Sequence, residues 1–173
     1  ALAAWYVGAA GSVLGAVRDV GRTALTIDSV RAGGTVVSEL RNRRDVQFDL
    51  ALEVGGQIVH VAPDTGSFAL LLASCRCQTT GCPPSVFNPN ASASFHTLSA
   101  TVNLSFGSGN LSGQSADDEI SLPPLGKQRQ AFWEVTHLDP RMAGLWSEAA
   151  FDGILGLPWR AGPAGPPAAR GAG

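Results

Sequence analysis

The residues best equipped for chemistry form one short run, Asp64-Thr65-Gly66-Ser67, set between the apolar segments Val59–Ala62 and Phe68–Leu72. A carboxylate in such a frame costs free energy unless backbone N–H groups or an opposite charge stabilise it. Thr-Gly-Ser offers that stabilisation: a glycine that can turn sharply with its N–H free, and two hydroxyls beside the acid. A carboxylate held this way can take up or deliver a proton, which is general acid–base work. Other constellations fit less well. Cys75, Cys77 and Cys82 provide only three thiols, with no His at ligand spacing, so a zinc site is a poor reading. A serine hydrolase is disfavoured, because Gly-x-Ser-x-Gly is absent and the three His have no evident partner. Gly107-Ser108-Gly109 opens like a nucleotide loop, but the next glycine is Gly113. The stretch that follows, Gln114-Ser115-Ala116-Asp117-Asp118, does not read as a helix beneath phosphates. Asp117-Asp118-Glu119 reads as solvated charge at the start of a strand Ile120–Leu122 rather than as a metal site.

The elements that must position Asp64 are legible upstream of it. Val46, Phe48, Leu50, Leu52 and Val54 alternate with Asp45, Gln47, Asp49, Ala51 and Glu53, the period of a half-buried strand. Gly55-Gly56 supplies a tight hairpin turn, and Gln57–Ala62 returns as the strand that delivers Asp64 to the end of a sheet. Further on, Ala100, Val102, Leu104 and Phe106 alternate with Thr101, Asn103 and Ser105. A turn follows at Gly107–Asn110, and Leu111–Gly113 begins the return. With 45% hydrophobic and 15% charged residues the chain of 173 can bury a sizeable core, and 21 Gly and 11 Pro favour strands and turns over long helices. Residues 45–173 carry six basic against eleven acidic side chains, a net of −5, which argues against a nucleic-acid partner.

Three segments in order carry a family resemblance: Asp64-Thr65-Gly66-Ser67 with its apolar run, the stretch Phe87-Asn88-Pro89-Asn90-Ala91-Ser92-Ala93-Ser94-Phe95, and Phe151-Asp152-Gly153-Ile154-Leu155-Gly156-Leu157. Together, over about Val46 to Leu157, the chain resembles the N-terminal lobe of the pepsin-like aspartic proteases. The resemblance implies a mostly β lobe, an incomplete six-stranded type of barrel or sandwich with a flap hairpin and little helix. It also implies endopeptidase chemistry without cofactor or metal: two aspartates share a proton and activate a water against a peptide carbonyl. Asp64 would be one of them, with Gly66 N–H and Ser67 bonding its carboxylate and Thr65 bracing the loop against an opposite lobe. Phe106, Gly107, Ser108 and Gly109 would form the flap over substrate, and Cys77–Cys82 a small disulfide loop contributing about 2 kcal/mol or slightly more. Cys75 is the odd cysteine.

The chain departs from the family pattern at several points. No second Asp-Thr/Ser-Gly is present, so the other carboxylate must come from a missing C-terminal lobe, from a second copy as in a retropepsin-like dimer, or not at all. The last case would be an inactive lobe that binds a peptide or a partner in its cleft. Phe106 stands where the flap tyrosine is usual and Leu71 where its tryptophan partner falls. Pro63, directly before the acid, is expected to remove a ladder N–H.

The flanks suggest processing. Residues 1–17 are apolar and uncharged, as in a signal peptide remnant or membrane anchor. Residues 18–44 read as a pro-segment closing on Arg41-Asn42-Arg43-Arg44, a polar, exposed cluster that resembles a proprotein-convertase site. Residues 45–160 would be the lobe and 161–173, made of Ala, Gly, Pro and one Arg, a disordered tail. Asn90, Asn103 and Asn110 head glycosylation sequons, which fits a secretory route to the cell exterior, a lysosome- or vacuole-like compartment or a membrane surface.

Overall fold

A computed structural model describes residues 17–19, 25–31, 34–38, 40–43, 47–67, 69–83, 86–122, 126–142, 144, 146 and 151–157. The apolar segment 1–16, Arg44 and the Ala/Gly/Pro tail lie outside these residues. What is described is mostly strand with almost no helix, in keeping with a pepsin-like lobe. Strands β1 (Val17–Asp19), β2 (Leu25–Arg31) and β3 (Gly34–Ser38) form a separate antiparallel sheet in the candidate pro-segment. The main sheet runs β4 (Arg41–Arg43), β5 (Gln47–Val54), β6 (Gln57–Asp64), β11 (Gly153–Gly156), β7 (Leu70–Ala73), β10 (Lys127–Leu138), β9 (Gly109–Ser121) and β8 (His96–Phe106). It curls far enough for Glu53 and Val54 of β5 to pair also with Ser121 and Ile120 of β9.

The expected β5–β6 hairpin forms with Val54 opposite Gln57, and Gly55 and Gly56 take φ of 55° and 79°. Only residues without a Cβ adopt both values cheaply, so this dipeptide fixes the register that sends every second residue of β6 inward. Leu50, Leu52, Val54, Val59 and Val61 bury in one apolar cluster with Leu72, Phe87, Phe132 and Leu155. A second cluster, on the other side of β7 and β11, holds Leu71, Val135, Leu138, Met142, Trp146, Phe151 and Ile154.

Pro63 removes no ladder hydrogen bond, contrary to the expectation from sequence. Pairing between β5 and β6 ends at Leu50 and Val61. Past that point β6 is held by the parallel strand β11, through Asp152 N–H to His60 O (2.6 Å) and Leu157 N–H to Asp64 O (2.6 Å). Residue 63 lies between these bonded positions, so its nitrogen faces away from β11, toward the side β5 has already left.

Two further expectations need correction. Asp118 is not solvated: it lies fully buried inside the long strand β9, and its Oδ1 accepts from Ser92 Oγ (3.0 Å), Ser94 Oγ (2.5 Å) and Glu119 N–H (2.7 Å). Ser92 and Ser94 thus satisfy one oxygen of this buried carboxyl, while its Oδ2 is buried without a partner. Arg41 and Arg43 are not in an exposed connector either; they lie on β4, opposite Asp49 and Gln47 of β5.

Candidate active site

Strand β6 ends at Asp64, and the reason it holds its position is the sheet behind it. Gly156 of β11 is Asp64's ladder partner, and Leu157 N–H closes on its carbonyl. Gly153 has no room for a side chain, because a Cβ there would fall 2.3 Å from Leu71 O. The Phe151–Leu157 segment is therefore the splint of the Asp64 strand, threaded between β6 and β7. A reactive group carried on such interlocked strands is placed more accurately than one on a free loop.

Beyond β6 the chain turns at Thr65-Gly66. Gly66 N–H donates to Asp64 Oδ1 at 2.8 Å, and among the described residues no group bonds the second carboxylate oxygen. Thr65 and Gly66 are exposed, and Asp64 is partly exposed. Ser67 does not bond the carboxylate: its Oγ is turned into the fold, buried and without a partner. One side of the carboxylate is thus pinned and the other open, an arrangement able to hold a water.

The flap residues lie on the β8–β9 hairpin, with Phe106 paired to Gly109 across the exposed turn Gly107-Ser108. Phe106 packs against the second apolar cluster, and so does Ala62, two residues before Asp64 on the same face of β6. Leu71 is buried in that cluster. Phe106 and Leu71 thus share apolar packing where the family pattern has a polar pair, and no donor or acceptor is stranded by the exchange. Trp146 and Phe151, 5.2 Å apart between ring centroids, belong to the same cluster, and no sequence pattern marks Trp146 for that place.

The other sequence-marked residues stand apart from Asp64. Cys77 and Cys82 are joined in a disulfide with Cα atoms 5.9 Å apart, and Cys75 is free and exposed. Asn90, Asn103 and Asn110 are all exposed. Asn90 accepts from Arg76 Nη2 at 3.1 Å through Oδ1. Asn103 and Asn110 lie on β8 and β9, where each is opposite the serine of the other's sequon.

Sequence reasoning missed a second charged centre beside the site. Asp49 has a fully buried side chain, yet it meets Arg41 Nε at 3.1 Å, Arg43 Nε at 2.6 Å and His60 Nδ1 at 3.0 Å. Asp152, also buried, accepts the His60 N–H at 2.8 Å. Burial pushes the Asp152 carboxyl above its ordinary 3.8, against the pull of that N–H and of the His60 and Arg41 charges; the Asp49 charge adds to the rise. Asp49, read from sequence as one of the polar residues of an alternating strand, and Asp152, of the Phe151–Leu157 segment, are therefore both wired to the strand that carries Asp64.

The family model of eukaryotic aspartyl proteases matches residues 50–165, a span that runs from within β5 through β11 and includes the Asp64 loop. This chain belongs to that family. It is 38% identical over 98 residues to plasmepsin IV of Plasmodium falciparum, covering 56% of the chain and 21% of that protein. To pepsin A-5 of Mus musculus it is 32% identical over 140 residues, covering 79% and 35%. To pregnancy-associated glycoprotein 2 of Sus scrofa it is 34% identical over 122 residues, covering 68% and 28%. The matched stretch thus spans between about a fifth and a third of these relatives' lengths. Among the described residues no helix is long and apolar enough to cross a membrane, which says nothing of strands.

Proposed function

We propose that this chain is the N-terminal lobe of a pepsin-like endopeptidase, with Asp64 as one of its two catalytic carboxylates and a second lobe supplying the other. The observation that carries the reading is the half-pinned Asp64, fixed by Gly66 N–H on one oxygen at the end of a splinted strand. Two such carboxylates facing each other share one proton. The ionised one takes a proton from the water between them, and the oxygen attacks the peptide carbonyl carbon. The protonated one gives its proton to the carbonyl oxygen. Collapse of the tetrahedral intermediate breaks the C–N bond as the leaving amine takes up a proton. The substrate is an extended peptide lying between Asp64 and the Phe106–Gly109 flap, and the exposed Thr65 meets the second lobe. A secretory route, ending outside the cell, in a lysosome-like compartment or at a membrane, accords with the sequons and the disulfide.

The test is an acid-pH endopeptidase assay with pepstatin as inhibitor. The 173-residue chain alone should be inactive. A longer polypeptide that adds a second Asp-Thr/Ser-Gly should cleave, and Asp64→Ala should lower its kcat by on the order of 10⁴-fold or more. Undiminished cleavage by the Asp64→Ala form would overturn the reading. Pepstatin-sensitive cleavage by the 173-residue chain itself would replace the second lobe with a second copy. A second reading, an inactive peptide-binding lobe, is favoured by the flap residue Phe106, which lacks a hydroxyl. It predicts peptide binding without cleavage in the longer polypeptide.

A further inference from the structure

Two of the three sequon asparagines stand over one hollow. On the β8–β9 hairpin Leu104, Phe106 and Leu111 pack inward with the second apolar cluster, so Asn103, Asn110 and Ser112, which alternate with them, face outward. The ladder sets Asn103 opposite Ser112, and Ser112 opposite His137 of β10. Two residues earlier on β9, the Asn110 carbonyl accepts the Asp139 N–H at 2.8 Å. Asn103, Asn110, Ser112, His137, Asp139 and Pro140 line an open cavity of about 320 Å³, at the lower end of the range for small-molecule sites. Among the described residues the side chains of Asn103, Asn110 and Ser112 make no hydrogen bond, and His137 uses only Nδ1, toward Thr136 Oγ1 at 3.2 Å. Two amides, a hydroxyl and a ring nitrogen are therefore open to donate or accept. Asp139, the carboxylate of the lining, is already engaged by Arg141 Nη2 at 2.7 Å, and Pro140 adds an apolar ring face. A neutral ring rich in hydroxyl groups matches such walls better than a charged ligand does.

We propose that Asn110 carries an N-linked glycan whose first N-acetylglucosamine ring seats in this cavity and bridges β9 to the His137–Pro140 segment. The inference goes beyond the reading of Asp64 and rests on the secretory route proposed above. Asn110-Leu111-Ser112 is an acceptor sequon on the middle strand of three, so its side chain rises from the cavity floor. Attachment joins Asn110 Nδ2 to C1 of a lipid-linked glycosyl pyrophosphate. The C1–O bond to the pyrophosphate breaks, the pyrophosphate leaves with the bonding pair, and the amide gives up one proton. The sugar's hydroxyl and acetamido groups then bond Asn103 and His137, and its C–H face lies on Pro140. The hairpin already touches this segment closely: a Cβ on Gly109 would fall 2.8 Å from Met142 Cγ and 3.1 Å from Asp139 Cβ. A seated ring adds a second contact at the same place, on the outer face of the hairpin. It stiffens the root of the flap and leaves the space between the flap and Asp64 clear.

The experiment uses the 173-residue chain with Ser105→Ala, which removes the Asn103 sequon and keeps its amide. One preparation comes from a secretory eukaryotic host and is trimmed with endoglycosidase H to a single N-acetylglucosamine. The other comes from a bacterial periplasm, where the disulfide forms and Asn110 stays bare. Peptide mass spectrometry should find Asn110 modified in the first. Amide hydrogen exchange at Asn110–Ser112 and His137–Asp139 should there be at least about fivefold slower than in the bare chain, with Val59–Val61 unchanged as the check on folding. Joint His137→Ala and Pro140→Ala substitution should abolish the protection while Asn110 stays modified. Equal exchange in the two preparations, or protection that survives the joint substitution, would put the sugar in open solvent and defeat the seat. Should the bare chain fail to fold, the trimmed chain decides alone: the acetyl methyl must show NMR cross-relaxation to His137 or Pro140 protons, and its absence overturns the seat. An Asn110 left bare while Asn90 is modified would defeat the seat and leave the secretory reading standing. A secreted chain with every sequon bare would defeat the seat and withdraw the sequons as support for that route.

Discussion

Asp49 and Asp64 lie on the two strands of one hairpin and show two ways of keeping a carboxylate in a β-sheet protein. Asp49 is saturated: its side chain is out of water and three cationic or cation-forming groups meet it within 3.1 Å. Asp64 is left open, with one backbone N–H on one oxygen and a neighbouring hydroxyl buried without a partner. A charge that exists to hold structure is enclosed by its partners. A charge that exists to handle a proton must keep an oxygen available to water and substrate, and gives up stabilisation to do so. The contrast adds a structural role for Asp49, which the sequence presents only as a polar member of an alternating strand, to the chemical role that the sequence already suggests for Asp64.

The comparison breaks most directly by removing each acid. Asp49→Ala strips a buried anion from two guanidinium groups; because those groups are half exposed and can return to water, the expected loss is about 2–4 kcal/mol rather than the upper end for a fully enclosed pair. Asp64→Ala should change stability by no more than about 0.5 kcal/mol in either direction. Urea unfolding of both variants beside the wild type reads the difference. Equal losses would show that Asp64 is as structural as Asp49 and remove the reason for assigning it a proton-handling role.

Much of this was legible in the sequence where one local rule sufficed. The alternation from Phe48 to Val54 and the Gly55-Gly56 turn gave β5, β6 and their register, and that register alone puts Asp64 at a strand end. What escaped was governed by partners far away in the chain. Strand β10 lacks a clear period in the sequence, because Glu134 interrupts its apolar residues. That side chain is fully buried against Ser74 Oγ (2.6 Å) and Gln114 Nε2 (2.8 Å) and has Arg76 Nη1 at 3.5 Å, residues 20 to 60 positions away. Asp118 misled for the same reason, since its serines precede β8. Pro63 was misread because nothing local says that β6 leaves β5 at Val61 and continues on β11. Pairing at long sequence separation, not weak propensity, is what the chain conceals.

Asp152 sharpens the contrast through pH. Burial raises its folded pKa above 3.8, so between 3.8 and the folded value the native state binds a proton that the unfolded state has lost. Stability from this group is therefore full below about 3.8 and falls as pH rises through the folded pKa. Asp152→Asn keeps an oxygen for the His60 N–H but cannot ionise. The unfolding free energy of wild type minus that of the variant should fall as pH rises above about 3.8. A difference that stays flat or grows over that range would mean that His60 and Arg41 stabilise the ionised form outright. Ser67 tests the opposite corner. Its buried hydroxyl has no partner, so Ser67→Ala should be neutral or stabilising by up to about 1 kcal/mol, whereas Ser74→Ala, which removes a bond to buried Glu134, should cost about 1–3 kcal/mol. A clear loss on Ser67→Ala would mean that the hydroxyl serves Asp64 after all.

Asp139 is the control, an acid 17% exposed and paired as closely as Asp49, but with an arginine that is 75% exposed. The Arg141 guanidinium, 2.7 Å away, holds its carboxyl down at about 2, with help from the Arg141 backbone and, less, from that of Asn110, against the opposition of burial. The sign is the reverse of Asp152: this group adds stability above the ordinary 3.8 that is lost as pH falls through about 2. Water screens a pair whose arginine is largely exposed, so a large change in titration should accompany little change in folding. An NMR titration of the Asp139 carboxyl carbon should move from about 2 toward 3.8 in Arg141→Ala, with the urea midpoint at pH 7 unchanged. If the midpoint instead drops as it does for Asp49→Ala, then proximity of an arginine and not burial of the acid sets the worth of these pairs. The distinction between an enclosed carboxylate and an open one would then lose its energetic basis.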